Sequence, residues 1–165
     1  MIRIPAPRHI SLLAFAALVT ACSSIDCPVE NIVSCVYQVC SNDSVNASLP
    51  DTLTVSTQRM DGTDSVLLNR SVNTQTFALP ISYTLDEDTL VFELKSSHFV
   101  SIDTVYVSKT NDPQFESVDC QIAYFHQIKG VRWTSNRIDS IAINKSSVDY
   151  DYSTPHLHIY FSKGF

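Results

Sequence analysis

Thr89-Leu90-Val91-Phe92-Glu93-Leu94-Lys95 decides the fold. Leu90, Phe92 and Leu94 alternate with Thr89, Val91, Glu93 and Lys95, and a side-chain repeat of two is that of a strand with one face in a core and one in solvent. The same alternation occurs at 52–58, where Leu53, Val55 and Thr57 interleave with Thr52, Thr54, Ser56 and Gln58. It recurs at 156–161, where Leu157, Ile159 and Phe161 interleave with His156, His158 and Tyr160. Segments 32–39, 65–70, 75–82, 101–108, 117–128 and 138–144 are rich in Val, Ile, Thr, Tyr and Phe and predict further strands. Between them stand turn signals: Leu49-Pro50-Asp51, Asp61-Gly62, Asp86-Glu87-Asp88, Asn111-Asp112-Pro113 and Thr154-Pro155. No window carries apolar residues at helical spacing. The pattern predicts an all-β fold, an antiparallel immunoglobulin-like sandwich of about eight strands. An up-and-down barrel is the alternative, and three glycines are few for its sharp corners.

The N-terminus carries a different signal. Arg3 and Arg8 precede an apolar run from Ile10 to Val19 broken only by Ser11, and Leu18-Val19-Thr20-Ala21-Cys22 follows. A basic start, a short apolar core and small residues before a cleavage point predict a secretory signal peptide. The run is shorter than the roughly 20 residues a membrane span needs. A cysteine directly after the small residue resembles a bacterial lipobox, in which the thiol is lipidated and the cysteine becomes the mature N-terminus. The expected organisation is a signal peptide over 1–21, a tether over 22–31 lipidated at Cys22, and a single β domain over 32–165. Ser23, rather than Asp, after that cysteine argues against retention at the inner membrane. The expected address is the outer membrane of a cell envelope, on either its periplasmic or its surface face, with the lipid as the membrane attachment.

Seventeen acidic residues stand against eleven basic ones. Loss of Arg3 and Arg8 would leave nine basic residues and a net charge of −8. Without a Lys/Arg cluster, nucleic acid is not an expected partner. With Cys22 lipidated, Cys27, Cys35, Cys40 and Cys120 remain, an even number suited to disulfides in an oxidising compartment. Three pairings are open, and the spacings match no common zinc pattern.

No catalytic motif is present, neither Gly-x-Ser-x-Gly nor His-Glu-x-x-His. His156 and His158 share one strand face as two metal ligands would, but alternation puts them outward with no fixed partner, so they read as exposed strand histidines. His126, in phase with Tyr124 and Ile128, reads as a hydrogen-bonded core residue. His98 reads as a strand end. Asp86-Glu87-Asp88 lacks the every-other-residue spacing of a calcium loop and reads as a solvated turn. No metal or cofactor is expected.

A further regularity is Asp, then Ser or Thr, then an aliphatic residue. It occurs with the hydroxyls Ser44, Thr52, Ser65, Thr89, Thr104 and Ser140, so six of the thirteen aspartates start it, where composition alone predicts roughly one. The triplet resembles an O-glycosylation site of exported Bacteroidota proteins. Its plainer reading is an aspartate that ends a turn before a β-branched strand start.

Cys27-Pro28, Ala78-Leu79-Pro80-Ile81, Ser117-Val118-Asp119-Cys120 and Thr134-Ser135-Asn136-Arg137-Ile138-Asp139-Ser140-Ile141 together resemble a family of small, uncharacterised Bacteroidota lipoproteins known only as a domain of unknown function. The resemblance implies an all-β envelope domain and no known activity. It also implies pairing Cys27 with Cys120, stapling the tether to a central strand, which leaves Cys35 and Cys40 to pair locally across a bend. The expected role is non-enzymatic, a sandwich whose far-end loops meet a protein or glycan, with Tyr150 and Tyr152 of the acidic loop as candidate contacts. Alternatives are an envelope glycan hydrolase using carboxylates, or a subunit of a larger outer-membrane assembly joined through an edge strand such as 156–161, which reads equally well as a central strand.

Overall fold

The alternation at 89–95 is genuine packing: Leu90 is 4 % exposed, and Phe92 and Leu94 are 0 % exposed. Burying such a side chain is worth about 1.5–3 kcal/mol. The computed structural model describes residues 27, 32–41, 46–58 and 63–162. Among these the chain forms ten strands: β1 Ser34–Cys40, β2 Thr52–Gln58, β3 Asp64–Ser71, β4 Thr76–Pro80, β5 Glu87–Lys95, β6 Val100–Gln114, β7 Ala123–Trp133, β8 Ile138–Ile143, β9 Ser147–Val148 and β10 Leu157–Phe161. They lie in two sheets, β4-β1-β10-β8 and β3-β2-β5-β6-β7-β9. Tyr37, Leu79 and Leu157 of the first meet Leu53, Phe92 and Val105 of the second in one core. Both sheets keep open edges, so the fold is a sandwich and not a barrel. Its four and six strands exceed the four and three of a constant-type immunoglobulin domain. The two-residue β9 is too short to show any alternation.

The sheets are not wholly antiparallel. β1 runs parallel to β10, Tyr37 opposite Leu157 and Val39 opposite Ile159. The C-terminal strand is therefore central, flanked by β1 and β8, and not an edge. β6 also departs from expectation, running through Asn111-Asp112-Pro113 where a turn was predicted. β5 begins at Glu87, opposite Ser108, so beyond that residue β6 pairs only with β7. A proline is tolerated on such an edge. β7 starts at Ala123, not 117, which puts Cys120 in the 115–122 connection and not in a strand.

The registers define two ends. Ser34 opens β1 opposite Pro80 of β4, and Gln114 closes β6 opposite Ala123 of β7. Connections 81–86, 115–122 and 144–156 share this end, called proximal because β1 starts there. Connections 46–51, 72–75, 96–99 and 134–137 lie at the distal end. At the distal end Asp103, 0 % exposed, accepts hydrogen bonds from the Asn136, Arg137 and Ile138 amides at 2.8, 2.7 and 3.0 Å and from Thr134 Oγ1 at 2.8 Å. Arg137 in turn reaches Asp51 at 2.5 Å and donates to the Ser162 carbonyl. The Asp103 carboxylate satisfies backbone donors that the turn before β8 leaves unpaired, and Asp51 neutralises the Arg137 guanidinium.

Candidate functional site

A cleft of about 460 Å³ opens at the proximal end between the edge of β3 and β2 and the β4–β5 connection. Leu67, Ile81, Leu85 and Leu90 supply apolar wall, Tyr83 stands at the surface, and Asp88 is the one carboxylate among its lining residues. The walls come from period-two faces that run past the filled core. Tyr83 is fixed by stacking on Tyr124, ring centroids 4.9 Å apart.

Behind Asp88 the inner face of the six-stranded sheet turns polar. Asp88 is in phase with Leu90 and Phe92, and Lys109 and Asn111 are in phase with Val105 and Val107, so all three point inward. Lys109 Nζ lies 3.6 Å from Asp88, 3.2 Å from Asn111 Oδ1 and donates to the Leu85 carbonyl. His126 Nδ1 lies 2.8 Å from the same Asn111 oxygen. The Ser82 amide donates to Asp88 at 3.2 Å. Burial raises the Asp88 pKa against the opposing pull of Lys109. It lowers that of Lys109 and, with the Lys109 charge, brings His126 down to about 4. Opposite lies Tyr37, stacked on Phe77 at 5.0 Å and hydrogen-bonded to Cys35, whose thiol burial pushes up to about 12. The cluster is a set of mutually satisfied groups, and the Cys35 thiol beside it stays protonated near neutral pH.

Cys22 and Ser44 lie outside the described residues. Cys27 is bonded to Cys120, Cα atoms 5.4 Å apart. The local Cys35–Cys40 bridge does not form, and both are buried thiols. They stand at the two ends of a regular strand, on opposite faces and about 16 Å apart at 3.3 Å per residue, beyond the roughly 7 Å a disulfide spans. His156 is not an exposed strand histidine but 0 % exposed. It precedes β10, and its Nδ1 accepts the Val36 amide at 2.9 Å, while its backbone N–H reaches the Val36 carbonyl and its carbonyl accepts the Asn144 and Lys145 amides. Segment 144–155 thereby shields the ring that alternation would expose. His126 is the buried, hydrogen-bonded residue expected, and His98 sits in the exposed 96–99 bend.

Asp86-Glu87-Asp88 is only partly a solvated turn. Glu87 opens β5 and meets Arg132 at 2.6 Å, and Asp88 is buried. Among the described residues no three His, Cys, Asp or Glu side chains converge on a metal position. Of the triplet hydroxyls, Thr89 is exposed and Thr52, Ser65, Thr104 and Ser140 are half-buried. Asp51, Asp88 and Asp103 of those triplets each have structural partners, which accounts for part of the repeated pattern. Tyr150 packs edge-on against Phe125 at 5.1 Å, and its hydroxyl is buried without a partner. Tyr152 is 41 % exposed. Their loop is proximal, not far from the chain start as expected, and Lys145 bridges Asp149 and Asp151 at 3.3 and 3.1 Å.

The cleft was legible only in part. Phase alone would have turned Asp88 and Lys109 inward, but no local motif announces a wall assembled from separate connections.

The chain is thus an all-β sandwich with an apolar cleft beside a neutralised polar cluster. It belongs to a family of unknown function, DUF6452, whose profile matches residues 23–161. No curated protein and no solved structure matches it.

Proposed function

We propose that this is a lipid-anchored, non-enzymatic protein of the outer membrane, which takes an apolar segment of a protein partner into its proximal cleft. The observation that carries the reading is the cleft's chemistry: apolar walls and a single carboxylate, Asp88, already engaged by Lys109 and the Ser82 amide. Glycosidic hydrolysis uses two carboxyl groups about 5–9.5 Å apart, and this cleft offers one. A protein side chain of Leu or Phe size matches these walls better. The family match begins directly after Cys22, which supports treating 1–21 as a removable leader. Glycosylation at a triplet hydroxyl away from the cleft, Thr52, Ser65, Thr104 or Ser140, belongs to the same envelope reading.

The test replaces Leu85 of the cleft, or Val72 at the distal end, with a photo-crosslinking residue in the full chain, irradiates native envelopes and identifies adducts by mass. A protein adduct from position 85 and none from 72 is the expected result. Lipid or no adduct from position 85 would overturn the cleft assignment, and the mass of the N-terminal peptide reads Cys22 acylation and the hydroxyl masses independently.

A further inference from the structure

We infer that the 115–122 loop of the proximal end is a membrane-contacting element, inserted into the interfacial region of the bilayer beside the cleft. The inference rests on the lipid anchor at Cys22 proposed above. Three large apolar side chains are exposed on this loop: Phe115 at 69 %, Val118 at 86 % and Ile122 at 49 %. All three fall within one eight-residue connection, a density that soluble surfaces avoid unless something covers it.

What covers it follows from chain length. Five residue steps separate Cys22 from Cys27, and a fully extended chain covers at most about 18 Å over that distance. Cys27 is bonded to Cys120 at the middle of the connection, Cα atoms 5.4 Å apart. The disulfide therefore shortens the tether from the whole of 22–31 to its first half and fixes which loop faces the lipid. A diacylglycerol thioether-linked to Cys22 would hold Val118 and its neighbours within about 3 nm of the headgroups. Tyr152, with an apolar ring and a polar tip, suits the headgroup level.

Charge selects the kind of lipid. Glu116 and Asp119 lie within the loop, and Asp149 and Asp151 are held by Lys145 nearby. With no basic patch, the contact is apolar and insensitive to salt, and suits zwitterionic headgroups over anionic ones.

The experiment places Val118→Trp in the full, acylated chain in vesicles of phosphatidylcholine and phosphatidylethanolamine, some carrying bromine on the acyl chains. Val72→Trp, exposed at the distal end, is the comparison, and the parent protein supplies the background of Trp133. Blue-shifted emission with most of the added fluorescence quenched for position 118, and neither for 72, is the expected result. Water-like, unquenched emission at 118 in protein shown by mass to be acylated overturns the inference and leaves the anchor standing. Blue-shifted but unquenched emission overturns it in favour of a protein contact. A chain without acyl groups at Cys22 overturns both. Because residue 118 is exposed, the variant is expected to fold, and an unchanged far-ultraviolet spectrum checks that.

Discussion

Asp103 does at the scale of one residue what a longer hydrogen-bonded turn would otherwise do. Its carboxylate takes three consecutive backbone amides and the Thr134 hydroxyl. In Asp103→Asn one oxygen becomes a donor facing donors. We expect a loss of about 2–4 kcal/mol in chemical denaturation, since each buried amide left unsatisfied costs about 1–3 kcal/mol. His126 sets a pH dependence. Its folded pKa, about 4, lies below the ordinary 6.5, so the unfolded chain binds the proton first. Stability is complete above about 6.5 and falls as the pH drops towards 4, by at most about 3 kcal/mol. His126→Gln should flatten the slope of unfolding free energy between pH 6.5 and 4.5, and an unaltered slope would remove His126 as its cause. The inward phase of Asp88, Lys109 and Asp103 was present in the sequence. What hid it was the habit of charge: an ionised group earns a solvent assignment until its partner is known, and Lys109 lies 21 positions from Asp88.

Among the elements, the strands were the most legible part. Period two locates a strand and its buried face without knowledge of its neighbours, so β2, β5 and β10 were placed nearly residue for residue. It is silent on which strand lies alongside. The parallel β1–β10 pair, the extension of β6 past Pro113 and the shielding of His156 by 144–155 all depend on neighbours distant in sequence. The Cys27–Cys120 bridge joins residues 93 apart. Chain entropy puts its removal, by Cys27→Ser with Cys120→Ser, at about 3–5 kcal/mol, to be read as a lowered denaturant midpoint. Cys35 offers the opposite test. With its thiol pushed up to about 12 by burial, alkylation of its peptide, followed by mass, should track global unfolding; rapid labelling of the native protein would contradict the buried placement.

For the molecule as a whole, both proposed activities share the proximal end, which holds the start of β1, the cleft, the disulfide and the exposed apolar loop. The N-terminal sequence predicts an attachment but not an orientation. The proposed orientation rests on Cys120 lying in a loop and on the registers of both sheets, which one sequence does not print. Shortening the route from lipid to fold is a testable consequence: in acylated, vesicle-bound protein, reducing the Cys27–Cys120 bridge should restore water-like emission to Val118→Trp, whereas persistence of the blue shift would mean the loop holds itself in place.

The β1–β10 pair has one more consequence, in time and not in space. A chain delivered N-terminus first produces β1 early and its parallel neighbour last, and β8 joins that sheet only through β10. The six-stranded sheet is built from hairpins and a meander and can assemble as it emerges. The other sheet must stay open until Phe161 has arrived, because non-local pairings carry the cost of closing the whole loop before any contact rewards it. Completion of the sandwich thus waits on its last strand: a truncated chain loses the middle of a sheet, not a frayed tail.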